Sequence, residues 1–467
     1  MTKKLTKIAL TLLITTMLVM AFGMQLGNCQ LSPGTMDNPS AYLTPVTLGS
    51  IVPQVTETGK IALSTDGLGT TETTGIIQVQ KPSAGATVRK AYMAAATTVG
   101  SGYRLSAGDI KIDGANFVWS IETSSSISSW NYWGDVTSLV KSKIDVAPAG
   151  RVDFTITESS NTYNIDGELL AVIFDDPAQT TDNTVVLLFG AQAVGGDTFH
   201  IGLASPLTAS NLVNPLEMSL GISFGFQPAG QYSLVNVNGQ RMTTSAGGQD
   251  DGQPSNGALL TVGGLDDSNA NPTDAYATDT NGPRSDDELY NLNPFVTVGD
   301  TTINVYTQNP SNDDNIFFAA LNLQATTAVV GEGIVLAPPA ATNIIGSPHT
   351  LTATLQDTNG AKIIGRTVTF TITSGPNVGT TATATSDTNG QATFTYTSSI
   401  GGTDSIKASF VNNQGQTVDS NTVTKLWRPF ENSVPEAPFG TITLLIAMIA
   451  APLSVKLIKS RSKKYPF

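Results

Sequence analysis

The chain is nearly devoid of cysteine and histidine. Of 467 residues, one is cysteine (Cys29) and two are histidine (His200 and His349). A single cysteine excludes an intramolecular disulfide and any metal site built from thiolates. Two histidines leave at most one base for a Ser–His–Asp arrangement. His349 opens a strand-like run after Pro348, and His200 follows Thr198 and Phe199 in another, so both read as structural residues. No metalloprotease helix motif, P-loop or dinucleotide fingerprint occurs. Charge is scarce, at 13% of residues. Between 30 and 430 no long stretch repeats apolar residues every 3.6 positions, which argues against long solvent-facing helices. Each Asn-x-Ser/Thr triplet, at Asn38, Asn271 and Asn309, has proline in the middle and cannot accept an N-glycan.

What the chain does have is glycine (44 residues), recurrent Thr and Ser, and 40% apolar residues, enough for cores built from short strands and many turns. Two apolar segments close the ends. Lys3, Lys4 and Lys7 precede the run Ile8–Phe22, so residues 1–29 read as a secretory signal. Leu26-Gly27-Asn28-Cys29 resembles a bacterial lipobox, which implies either removal or lipidation of Cys29. Phe439 to Ile458 is long enough to cross a bilayer as a helix, and the basic tail 459–467 places its end in the cytoplasm. The span 30–438 then lies outside. It holds all 37 acidic residues against 16 basic ones, a net charge near −21. Such a surface repels nucleic acid and can attract cations.

Between these ends the expectation is all-β. A linker covers 30–44, a large β-rich domain 45–325, an Ig-like sandwich 326–425, and a second linker 426–438. Glu168–Phe174 and Val185–Phe189 read as strands buried on both faces, joined by 178–183. Asp135 is an N-cap residue for one short helix reaching Lys143. In the large domain the order is Tyr132-Trp133-Gly134-Asp135-Val136-Thr137, then Gly167-Glu168-Leu169, then Asp175-Asp176-Pro177. It resembles an uncharacterised β-rich domain of archaeal and bacterial surface proteins, which implies a surface location. The block holds one large sandwich or two packed ones, with a break expected near 205–225. In 326–425, Leu351, Ala353 and Leu355 share one strand face, and Val368, Phe370 and Ile372 another. Asp-Thr-Asn-Gly stands at 357–360 and 387–390, where Asn-Gly predicts type I′ hairpins. Val368–Ile372 and Asp387–Tyr396 give the segment its resemblance to bacterial Ig-like group 1 domains of invasin- and intimin-type adhesins, which implies a spacer. Ser433-Val434-Pro435-Glu436-Ala437-Pro438-Phe439-Gly440, with the apolar span and basic tail behind it, resembles the Pro-Glu-Phe sorting signal of archaeal surface proteins. Ala437 stands where that family has Phe.

Three site chemistries are open to these residues. Asp267, Asn269 and Asn271 have the 1-3-5 oxygen spacing of a calcium loop, with Asp274 following. Pro272 at the sixth position excludes an EF-hand but leaves an irregular Ca2+ site. Trp130, Tyr132 and Trp133 cluster beside serines and offer faces for stacking on glycans. Asp175-Asp176, Asp250-Asp251, Asp286-Asp287-Glu288 and Asp313-Asp314 raise the question of a glycosidase pair. The expectation is a cell-surface structural or adhesion protein, not an enzyme. Its C-terminal helix meets the membrane, and its ligands are surface polysaccharide or protein. The rivals are a tethered polysaccharide hydrolase and a glycan-binding receptor.

Overall fold

The structure is a computed structural model and describes residues 44–45, 50–69, 72–159, 164–224, 232–247, 259–276 and 288–429. The signal segment, the sorting-like motif, the apolar span 439–458 and the basic tail lie outside the described residues. Among the described residues, no helix is long and apolar enough to cross a membrane.

The described chain is all-β apart from short helical pieces. N-terminal to the Ig-like module, four sheets stack face to face. The outermost is three-stranded, in the order Thr74–Lys81, Gly150–Glu158, Ile110–Ile112. Against it lies a six-stranded sheet in which Ile165–Asp175 runs antiparallel between Thr87–Thr97 and Ile61–Leu68. The third sheet centres on Asn315–Leu323, between Leu216–Ser223 and Asn183–Phe189. The fourth centres on Thr302–Gln308, between Asp197–Leu203 and Leu234–Val237. One apolar core fills each gap: Leu170, Val172 and Phe154 in the first, Leu169, Ile173, Leu187 and Phe317 in the second, Leu188, Leu220, Ile201 and Val305 in the third.

This layering accounts for the continuous apolar runs. The two middle sheets are covered on both faces, so their strands need apolar side chains at every position rather than every other one. Ile165–Phe174 and Asn183–Phe189 are buried throughout, as expected. They do not pair with each other, because the connection 176–182 carries the chain from the second sheet to the third. The block is therefore two sandwiches packed on each other. The chain leaves the third sheet after Val52–Gly59, enters the second with Ile61–Leu68, and returns to the third through 176–182.

The short helix spans Thr137–Val146, with Val136 rather than Asp135 at the N-cap position, and ends beyond Lys143. Asp135 does accept the Thr137 N–H at 2.8 Å. Val140 and Ile144 enter the first core. The other helix end is satisfied by Lys81, which is fully buried and donates to the carbonyls of Ile144 (3.1 Å), Asp145 (2.8 Å) and Ala147 (2.8 Å). A cation at a helix C-terminus meets both unpaired carbonyls and the negative end of the dipole.

The Ig-like module is a sandwich of Gly333–Ala337, His349–Gln356 and Gln391–Tyr396 against a sheet ordered Ala340–Ile344, Val423–Arg428, Gly402–Val411, Thr367–Ser374, Thr381–Thr385. Leu351, Phe370, Ile406, Phe410 and Trp427 fill it. Trp427 belongs to this core and not to a linker, since the last strand continues to Arg428. The Asp-Thr-Asn-Gly turns are not type I′ hairpins. Within them only Gly360 and Gly390 have positive φ. Asp357 Oδ1 accepts the N–H groups of Asn359 and Ala361, each at 2.9 Å, and Asp387 does the same for Asn389 and Gln391. The carboxylate thus sets an Asx-type turn, and beyond the first one Gln356 and Lys362 form only an isolated antiparallel bridge. Thr381–Thr385 and Gln391–Tyr396, on either side of the second turn, lie in different sheets.

Candidate functional site

The three aromatics Trp130, Tyr132 and Trp133 form no common patch, because alternation along Trp130–Asp135 sends them to opposite faces. Tyr132 is wholly buried in the first core, its hydroxyl accepting the Leu105 N–H at 3.0 Å. Trp133 is buried in the second, stacked on Tyr92 with centroids 4.7 Å apart. Trp130 is half-buried, and the Arg104 guanidinium lies 3.7 Å over its ring. Strand geometry that buries two of three aromatics leaves no platform for a sugar ring.

Asp267, Asn269, Asn271 and Asp274 are each directed to a different partner. Asp267 Oδ2 accepts the Gly264 N–H at 2.6 Å, and Asp274 Oδ1 accepts that of Tyr276 at 3.0 Å. Asn269 donates to Glu217 Oε1 at 3.0 Å. Asn271 forms a reciprocal pair with the Asn291 backbone, 2.7 Å to its carbonyl and 2.9 Å from its N–H. Among the described residues, no three His, Cys, Asp or Glu side chains are placed to hold a metal.

The other candidates are also engaged locally. Asp175 is paired with Arg89 at 2.5 Å, and Arg89 also reaches Glu57 at 3.1 Å, tying the second sheet to the third. Asp176 accepts from Ser83 Oγ (2.6 Å), the Ala178 N–H (3.1 Å) and Gln179 Nε2 (3.2 Å). Asp314 is buried beside Asn309, whose amide donates to its carbonyl at 3.2 Å. Asp250, Asp251, Asp286 and Asp287 lie outside the described residues. His200 Nδ1 contacts Asn304 Oδ1 at 2.7 Å. Burial, and next the charge of Lys425, push His349 down to about 4, so it is neutral at pH 7.

Two features escape a reading of the sequence alone. The first is a buried amide pair between the two sandwiches. Asn131 Nδ2 donates to Asn315 Oδ1 at 3.1 Å and to the Gly190 carbonyl at 2.7 Å. Asn315 Nδ2 donates to Asn131 Oδ1 (2.6 Å), Ser223 Oγ (2.9 Å) and Ser129 Oγ (3.1 Å). A satisfied polar network inside an apolar interface fixes the register of the sheets that contribute to it. The second is a set of buried acids, Glu158, Asp166 and Glu168. Glu168 lies inside Ile165–Asp175, directly before its apolar run, and an acid inside such a strand is the sequence signal for it.

The Ig-like module is joined to the stack by Gln356, whose Nε2 donates to the carbonyls of His200 (3.0 Å), Gly331 (3.0 Å) and Val329 (3.5 Å). Gly202 makes room for it, since a Cβ there would sit 1.9 Å from Gln356 Oε1. Gly360, in the first Asp-Thr-Asn-Gly turn, packs on the His200 side chain. A groove of about 700 Å³ runs along the junction, lined among others by Thr58, Lys60, Asp182, Thr208, Thr327 and Thr424. It has hydroxyls and one of each charge, but no aromatic ring.

No curated protein matches the chain. Among solved structures, the D0-D1 domain of intimin is 14% identical over 52% of this chain and 90% of its own, with a TM-score of 0.19. A tetra-tandem repeat from the extending region of a large adhesion protein is 11% identical over 79% of this chain and 75% of its own, with a TM-score of 0.17. At these scores the likeness carries no argument about the whole chain. Residues 346–425 match the family model of the bacterial Ig-like domain (group 1), a span that lies within the separate sandwich built from strands between Gly333 and Arg428.

Proposed function

We propose that this is a cell-surface structural and adhesion protein, held to the envelope by the apolar segment 439–458, with the Ig-like module as its stalk. The observation that carries the reading is the junction at Gln356. One side chain gives hydrogen bonds to carbonyls across the boundary, so the stack and the Ig-like module meet in a fixed orientation rather than through a free linker. A fixed joint suits a part that holds a larger body away from a membrane. The group 1 Ig-like match supports the same role. The strongly acidic 30–438 span favours an exterior location and disfavours nucleic acid as partner. Its ligand is a neighbouring surface polysaccharide or protein, recognised by shape and binding rather than by chemistry. His200, Asp175 and Asp176 are all engaged in local contacts, which supports a non-catalytic role.

The test is fractionation with surface proteolysis. The full chain is expected in the membrane fraction, cut by protease added to whole cells, and truncation before residue 439 should release it into the medium. Recovery of the intact chain, both apolar ends present, from the cytosol would overturn the proposal.

A further inference from the structure

Glu158 ends the strand Gly150–Glu158 of the outermost sheet, and Glu168 lies on Ile165–Asp175 of the sheet packed against it. Glu158 is 5% exposed and Glu168 fully buried, and none of their four carboxyl oxygens meets a donor. Asp166, 1% exposed, accepts the Phe224 N–H at 2.6 Å through one oxygen and leaves the other unpartnered. The two glutamates lie within hydrogen-bonding reach of each other. Two carboxylates this close cannot both be ionised in an apolar core, and the missing donor can only be a proton on one of them.

Among the described residues, the neighbouring elements supply no counter-charge. Glu168 is flanked in the ladder by Leu68 and Ala95, and Glu158 by Ile110. Lys111 points away between the buried Ile110 and Ile112. Lys81, at the far end of Thr74–Lys81, is taken by the helix carbonyls. Asp66, two residues before Leu68, accepts the Gln78 N–H at 2.5 Å. Asp109 is held by the Tyr103 hydroxyl (2.9 Å) and the Ser106 N–H (2.7 Å). Glu72, just before Thr74–Lys81, adds only another acid. The backbone between the acids is specialised too. Gly167 has φ +150°, and a Cβ there would lie 2.3 Å from the Leu68 carbonyl.

We infer that Glu158 and Glu168 share a proton that clasps the two sheets of the first sandwich together, so that alkali opens this sandwich while sparing the Ig-like module. Glu168, the more deeply buried, donates its proton to Glu158, and below about pH 8 Glu158 is protonated as well. Burial raises both groups above the ordinary glutamate range, Glu158 to about 8. The folded state thus binds the proton more tightly than the unfolded one. Stability is greatest in acid and is lost as pH rises toward about 8. Each proton held by the fold and released on unfolding changes the unfolding equilibrium about tenfold per pH unit in that window.

Hydrogen exchange read by mass spectrometry on the full chain tests this, at pH 6.5 and pH 8 after correction for intrinsic exchange. Peptides from 150–158 and 165–175 should lose protection at least tenfold at pH 8, and those from 367–374 should keep it. Glu168→Gln substitutes a permanent N–H donor for the proton and should remove the pH effect, with Glu158→Gln as the alternative if that variant does not fold. Three results would overturn the clasp: equal wild-type protection at both pH values, an unchanged pH effect in the folded variant, or loss of protection on adding chelator at pH 6.5, which would put a cation where the proton is assigned.

Discussion

The stack and the Ig-like module bury acids in opposite ways. In the Ig-like core Asp404 is fully buried but surrounded by donors: the Asn377 N–H at 2.9 Å and Nδ2 at 2.7 Å, the Tyr396 hydroxyl at 3.1 Å, and Trp427 Nε1 at 2.9 Å. In the stack Glu158 and Glu168 have only each other. A carboxylate ringed by four donors locks its neighbours in place, whereas a pair without donors needs a proton. The same element of composition, an acid inside a sheet, thus makes one module depend on hydrogen bonds and the other on pH.

The comparison can be broken most forcefully at Trp427. Trp427→Ala empties the Ig-like core and strips a donor from Asp404, at a cost of about 3–5 kcal/mol. Calorimetry should show the Ig-like transition lowered and that of the stack in place. Equal displacement of both would mean that the modules unfold as one. Asn315→Leu strikes the other side. It leaves Asn131 and two serines without their partner, costs about 2–3 kcal/mol, and should lower only the stack transition. The two modules should also respond to pH in opposite senses. The folded-state pKa of His349 lies below its unfolded value, so the Ig-like module gains nothing above pH 6.5 and loses stability as pH falls from about 6.5 to about 4. A series of melts at pH 7, 5.5 and 4 should therefore lower the Ig-like midpoint in steps, and His349→Phe should flatten it. The smallest effect is expected at the joint. Gln356→Ala leaves three carbonyls without this donor and costs about 1 kcal/mol. Its signature is geometric: a broader distance distribution between spin labels placed in the two modules, with both melting transitions kept.

Much of the fold was legible. The strands His349–Gln356 and Thr367–Ser374 show in the sequence because each has one buried and one open face, and that alternation survives without any knowledge of partners. The runs at 165–175 and 183–189 were legible as doubly buried strands, but not as members of different sheets. Sequence adjacency suggests pairing, and only the packing of four layers places them apart. The candidate sites fared differently. Aromatics at 130, 132 and 133 are close in sequence, yet a strand sends neighbours to opposite faces. The acids at 158 and 168 are ten positions apart, and nothing local announces that a sandwich closes over both. Asp-Thr-Asn-Gly was read from its glycine as a hairpin, while its aspartate carboxylate decides the turn.

By itself the sequence determined the class of the protein: short strands, an Ig-like sandwich toward the C-terminal end, no intramolecular disulfide and an excess of acid. These follow from composition and periodicity, which act over a few residues. Tertiary structure alone decided which strands of the large block share a sheet, which acids lose contact with water, and that a glutamine joins the Ig-like module to the stack. Each of those depends on residues far apart in the chain being brought into a shared low-dielectric space, where a missing donor or a well-placed amide carries free energy it would not have in water.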